Sequence, residues 1–252
     1  MEDERVIRFL SWNLNMMNTS QEAPSGWRVD QTEALIRQRV LEENIDIVCF
    51  QELPAMVPFV ETHELAPANT TSHSGTIATI VKKELFEGMV CRAVGRFAVV
   101  CVFPKLSLSI ANVHLESTRG GAGQRLMQLR TLFNVCPTDS LLIVGDTNTR
   151  IAEEAAIFEM GLLGERPPAP TWDSRRNQHS SKASAKAFSC YFTRYFHNDA
   201  VTVDNVKVHN QPLNFDGIEF FLSDHFAISG VARVRLEAGD LRLEAGDLRP
   251  EA

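Results

Sequence analysis

The chain has no apolar run long enough to span a bilayer. Its opening, MEDERVIRFL, is charged and passes straight into a strand-like run. It lacks the apolar stretch and small-residue cleavage site of a secretory signal. Cysteine is present in an odd number, five, and no CxxC spacing occurs. A disulfide framework is therefore not expected. Cys49, Cys91, Cys101, Cys136 and Cys190 mostly sit in apolar runs and read as buried, reduced thiols. Together these absences lead us to expect an intracellular, non-secreted protein with no membrane partner. Positive charge is also short. A net charge of −7 excludes coating long nucleic acid by bulk attraction, but leaves room for a local phosphate site neutralised by a bound cation. No HExxH, Cys/His tetrad, GxSxG or glycine-rich phosphate loop appears. That disfavours a zinc site, a serine-hydrolase elbow and a P-loop.

What is present is core-forming. Of 252 residues, 44% are hydrophobic, enough for one substantial domain. Short β-branched runs recur: VIRFLSWNL, DIVCFQEL, TIATIVKK, RFAVVCVF, LSLSIANVHL, LLIVGD and HFAISGVARV. Two stretches carry helical spacing instead. In WRVDQTEALIRQRVLEEN it is set by Leu35, Ile36, Val40 and Leu41, with Asn44 as a stop. In GQRLMQLRTLF it is set by Leu126, Leu129, Leu132 and Phe133. Strands outnumber helices, and several strand pairs have connections too short for a crossover helix. The pattern predicts an α/β sandwich of antiparallel sheets with helices packed outside. Residues 164–187, rich in proline, serine and cations, read as a long loop. The tail RLEAGDLRLEAGDLRPEA repeats seven residues, but Gly239 and Gly246 weaken any helix. Residues 236–252 therefore read as a solvated, disordered tail behind a domain of residues 1–235.

Polar residues collect where the apolar runs stop. WNLN ends in Asn13 and Asn15, CFQE in Gln51 and Glu52, and ANVHLES in His114, Glu116 and Ser117. IVGDTN ends in Asp146 and Asn148, and SDH places Asp224 and His225 just before the last run. Each alone has an ordinary structural explanation, such as a turn, a cap or a polar strand exit. Their shared position at strand ends is what points to a site, because strand ends on one edge of a sandwich converge. Carboxylate and amide oxygens are hard ligands suited to Mg²⁺, with Mn²⁺ as an alternative. With two imidazoles beside them, the chemistry indicated is metal-assisted hydrolysis of a phosphate ester.

In that order, WNLN, QE, a strand ending in His, GDTN and SDH resemble the endonuclease/exonuclease/phosphatase superfamily, from about Ile7 to Val234. HLESTRG, the helix-like GAGQRLMQL, GDTNTR, TWD at 171–173 and F-x-x-x-F-x-R from Phe188 to Arg194 are similar, more narrowly, to the type-2 tyrosyl-DNA phosphodiesterase subfamily. That subfamily releases tyrosine from 5′ DNA ends trapped by topoisomerase II. The resemblance implies a four-layered α/β/β/α sandwich of two mainly antiparallel sheets flanked by helices. It also implies a nuclear or cytoplasmic place and a DNA 5′ end carrying a tyrosyl adduct as partner. By resemblance, Glu52 ligates Mg²⁺, Asn13 and Asn15 lie in the metal shell, and Asp224 supports the metal and histidine side. Asp146 is implied to deprotonate the attacking water, while Asn148, His225, His114 and Ser117 contact the phosphate. Trp172 and Phe188 line an aromatic wall, and Arg96 faces the departing ring. The chain departs from the pattern at Asn15, where the family has Asp. It departs again at Phe188-Ser189, where the family's Phe-Asp holds the catalytic His, and at Thr149-Arg150-Ile151 in place of Leu-Arg-Asp. The expected consequences are weaker metal binding, and a His225 ring that is less fixed and of lower pKa, unless Asp173, Asp199 or Asp216 substitutes. Alternatives of other classes are an impaired member that only binds nucleic acid or protein, and a relative acting on abasic DNA, RNA or a phosphoinositide.

Overall fold

The computed structural model describes residues 4–15, 24–53, 60–72, 75–177 and 188–235. The tail beyond 235 and the part of the long loop from 178 to 187 lie outside these. Among the described residues four α-helices form: α1 (Val29–Glu42), α2 (Lys83–Phe86), α3 (Ala122–Val135) and α4 (Glu154–Glu159). Asn44 follows α1 in a left-handed conformation (φ 48°), as its reading as a stop anticipates.

One sheet has seven strands. It runs β13 (Val201–His209), β16 (Ala227–Arg235), β1 (Glu4–Asn13), β2 (Ile47–Leu53), β5 (Gly75–Lys82) and β3 (His63–Leu65), with β4 (Thr70–Ser72) also on β5. The other has five: β12 (Thr193–His197), β9 (Ser140–Asp146), β8 (Leu108–His114), β7 (Ala98–Phe103) and β6 (Val90–Val94). Two small hairpins complete the set, β10 (Trp172–Asp173) with β11 (Ser189–Cys190) and β14 (Leu213–Phe215) with β15 (Ile218–Phe220). The expected strand runs all form. β6, β12 and β13 were not expected; in β13 polar residues interrupt four valines, three of them only half-buried.

Alternation along each strand builds the layers. Phe9, Ile47 and Ile77 meet Val99, Ile110, Leu142 and Val144 between the sheets. The neighbouring residues face outward. Leu10, Val48 and Phe50 pack on Ile36 and Val40 of α1, and Ala111, Val113 and Ile143 pack on Leu129 and Leu132 of α3. The result is the α/β/β/α sandwich.

Most strand pairs are antiparallel, but each sheet holds a parallel pair at its centre: β1 with β2, joined through α1, and β8 with β9, joined through α3. These two pairs decide where function can sit. A parallel pair brings its carboxyl ends to the same edge, so Asn13 stands opposite Gln51 and His114 opposite Asp146.

A buried polar stitch joins the sheets beneath that edge. Gln51 Nε2 donates to Asn112 Oδ1 at 2.7 Å, and Asn112 Nδ2 donates to the Ala78 carbonyl at 2.9 Å. Close packing also explains the glycine of GDTN. Gly145 has φ 149°, and a Cβ there would collide with the Val113 backbone of β8. Gly145→Ala is therefore expected to cost about 3 kcal/mol of unfolding free energy. Urea denaturation checks this, and unchanged stability would show that the two strands can separate without penalty.

Candidate active site

The carboxyl ends of the two parallel pairs place a pair of acids in contact with one amide. Asn13, fully buried, donates from Nδ2 to Asp146 Oδ2 at 2.8 Å and to Glu52 Oε1 at 3.1 Å. Its Oδ1 accepts the Asn15 backbone N–H at 2.9 Å. Asn13 thus bridges one sheet to the other. Asp146 comes from the end of β9. Glu52 is aimed by a local irregularity: the β2–β5 register shifts between Phe50 and Leu53, and Glu52 takes a left-handed φ of 48°. Such a bulge re-aims a side chain that regular pleating would send elsewhere. Asn15 (φ 44°) and Asn148 (φ 51°) are also left-handed, so the strain of unusual backbone gathers at this edge.

Two imidazoles flank the acids. His114 Nε2 lies 3.6 Å from both Glu52 Oε1 and Asp146 Oδ2, and His225 Nε2 lies 3.6 Å from Asp146 Oδ2. Burial pushes the Glu52 carboxyl above its ordinary value, and the Asp146 charge adds to this, while Asn13 and the imidazoles offset part of it. Burial alone would lower the His225 pKa. The charges of Asp146, Asp224 and Glu52 outweigh it and raise the ring above its ordinary value.

His225 is held on every side. Ser223 Oγ donates to the Asn13 carbonyl at 2.7 Å and accepts the His225 N–H at 3.1 Å. Trp12 Nε1 donates to the His225 carbonyl at 3.1 Å, and the Phe226 N–H donates to the Thr171 carbonyl at 2.8 Å. Ring nitrogen Nδ1 meets Thr193 Oγ1 at 3.2 Å. This corrects the expectation drawn from Phe188-Ser189. Ser189 pairs with Asp173 in the β10–β11 hairpin, and Phe192-Thr193, four residues on, supplies the hydroxyl at His225. The ring is well fixed, and its pKa is supported by charges on its other side.

Of the remaining expected residues, Asn148, Asp224 and Trp172 adjoin this centre. Asn148 is buried, with its backbone N–H on Asp146 Oδ1 at 3.3 Å and Nδ2 on the Leu115 carbonyl at 3.2 Å. Asp224 Oδ2 accepts from Trp172 Nε1 at 3.3 Å. Ser117 is exposed on the loop after β8. That loop is anchored by wholly buried Arg125, which donates to the Glu116 and Thr118 carbonyls at 2.8 Å and pairs with Glu153 at 2.6 Å. Trp172 is buried and stacks at 4.6 Å on the half-exposed Phe188. Phe192 extends this wall, 5.8 Å from Trp172 and 6.1 Å from His225, with Arg150 over its face at 4.3 Å. Arg96 stays on the exposed β6–β7 turn, bonded to the Thr71 carbonyl at 3.1 Å, next to Phe97, whose carbonyl accepts the His114 N–H. Sequence reasoning missed Thr193, Trp12, Ser223 and Phe192. Three of them carried a signal, Ser223 in SDH, Trp12 in WNLN and Phe192 in F-x-x-x-F-x-R; Thr193 did not.

Acceptor atoms of Glu52, His114 and Asp146 lie within 4.8 Å of one another. Two carboxylates and an imidazole at that spacing offer a divalent cation three donor atoms. A rigid strand-end cluster of acids and imidazoles defines a phosphoesterase. Residues 10–225 match the Endonuclease/Exonuclease/phosphatase family, and the chain belongs to it. It is similar in fold to TDP2 from D. rerio complexed with a single-strand DNA product. That structure has a TM-score of 0.66 at 20% identity, over 90% of this chain and 98% of that one. It is similar also to an endonuclease/exonuclease/phosphatase family protein from Bacteroides thetaiotaomicron (TM-score 0.68, 14% identity, 93% of this chain and 100% of that one). Beta toxin from Staphylococcus aureus is a third (TM-score 0.59, 16% identity, 89% of this chain and 99% of that one). At these identities the likeness shows the fold. No curated protein matches the chain by sequence.

In the metal-free protein, His225 is expected to titrate above an ordinary histidine. Its protonated form favours the fold, so that contribution is fully present below the unfolded pKa and is lost as pH rises through the folded one. NMR titration of the ring, compared with Asp146→Asn, reads this. A value at or below the ordinary one, unmoved by the substitution, would contradict the charge balance.

Proposed function

We propose that this chain is a Mg²⁺-dependent phosphodiesterase, with Mn²⁺ able to substitute, that hydrolyses 5′-blocked DNA ends, most specifically 5′-phosphotyrosyl ends. The observation that carries the phosphodiester reading is the Glu52–Asn13–Asp146 bridge with an imidazole on either side. Support for the narrower substrate comes from HLESTRG and the aromatic wall of Trp172, Phe188 and Phe192, together with the likeness to TDP2 holding a DNA product.

In this reading Glu52 holds the cation, with Asn13 and Asn15 in its shell. The cation, when bound, neutralises charge on the phosphate oxygens. Asp146, buried and fixed by Asn13, accepts the proton of the attacking water. His225, protonated by virtue of the acids around it, donates to a non-bridging oxygen as charge develops there. His114, Asn148 and Ser117 complete the phosphate contacts, and Asp224 keeps the cation side negative. Trp172 and Phe188 line the aromatic wall for the terminal nucleotide without reading its identity. Arg96, from the β6–β7 turn, is the cation assigned to the departing aromatic ring.

A second reading has one observation in its favour: the group at His225 Nδ1 is the uncharged hydroxyl of Thr193 and not a carboxylate. A weakly catalytic nucleic-acid binder would follow from that.

Incubation with a 5′-tyrosyl oligonucleotide and Mg²⁺ separates the readings. We expect metal-dependent release of tyrosine, reduced on the order of 100-fold or more in Asp146→Asn. Equal release by the variant, or none by the wild type, rejects the enzymatic reading. Release from an abasic or RNA substrate alone rejects the tyrosyl one. Thr193→Asp is expected to raise kcat roughly tenfold by giving His225 a charged partner. An unchanged kcat would mean the hydroxyl already suffices.

A further inference from the structure

β6 is an outer strand of the five-stranded sheet, and its Cys91 stands directly opposite Cys101 of β7. Directly opposed residues of an antiparallel pair point to one face. Here that face is the inter-sheet core, where Cys101 is fully buried and Cys91 packs at the margin. Their sulfurs are 2.9 Å apart, closer than two unbonded sulfur atoms ordinarily rest. Opposed positions hold their Cα atoms about 4.5–5.5 Å apart, inside the span of a disulfide. Only the sulfurs need to move. Access is one-sided: Cys91 is half-buried on a strand whose outer edge pairs with no other strand among the described residues, whereas Cys49, a third thiol of this core, is fully buried on β2 of the other sheet. Contact with Cys91, and then burial, hold the Cys101 thiol well above its ordinary range, so Cys91 reacts first.

We propose that Cys91 and Cys101 form an oxidisable dithiol that a low-molecular-weight disulfide converts to a cross-strand disulfide in the folded protein. The Cys91 thiolate attacks one sulfur of the reagent and expels the other as a thiolate. Cys101 then attacks Cys91 Sγ and expels the second. The two cysteines lose two electrons and two protons, and the reagent becomes two thiols. The site lies apart from the acids and imidazoles of the active centre and does not depend on the proposed substrate.

Treating the full chain with glutathione disulfide under native conditions, trapping with acid and mapping the peptides tests this. The expected product is a peptide pair joined through Cys91 and Cys101, with no glutathione on either. Cys91→Ser, at a tolerant sheet-edge position, should leave residue 101 as a free thiol. A stable glutathione adduct on Cys91, a bond from either residue to another cysteine or another chain, or a link formed only in urea would each overturn the proposal. So would free thiols at both positions after a reference dithiol is fully oxidised.

Discussion

One amide holds two negative charges together. Asn13 lends a single –NH₂ to Asp146 and Glu52, acids that come from different sheets. Two buried carboxylates repel, and burial penalises each of them further. The arrangement persists because the amide donates to both and the imidazoles of His114 and His225 stand beside them. Every other feature of the edge serves this contact. The parallel pairs bring the strand ends to it, the bulge turns Glu52 inward, and the Gln51–Asn112 stitch keeps the sheets in register below it.

The same electrostatics set the charge on His225. Nearby acids raise its pKa despite its burial, so in the proposed reaction its charged form meets the charge of a phosphate. Thr193, Ser223 and Trp12 fix the ring without adding charge. Position and protonation are thus supplied from separate sources. That division lets an uncharged hydroxyl hold the ring while Asp146, Asp224 and Glu52 supply the charge.

Much of this was legible in the sequence. The strand runs, both long helices and the convergence of Asn13, Glu52, His114, Asp146 and His225 follow from periodicity and from where the polar residues fall. The parallel pairing was marked only by the two helices that separate the paired strands, and the short connections elsewhere in the chain favoured antiparallel neighbours. Thr193 escaped for a different reason. Two Phe-hydroxyl steps, Phe188-Ser189 and Phe192-Thr193, lie four residues apart, and only the pairing of β12 with β9 decides which one reaches His225. Asn15 as a substitute for an acid was visible, whereas the left-handed turn that puts its backbone N–H on Asn13 was not.

We propose that the acids bridged by Asn13 form a divalent-cation site at the joint edge of the two sheets. Soaking crystals with Mn²⁺ and recording its anomalous scattering tests this. The expected result is a peak beside the Glu52 carboxylate, between the ends of β2 and β9, that vanishes in Glu52→Gln. A map with no peak there, or one whose peak survives the substitution unchanged, would contradict it.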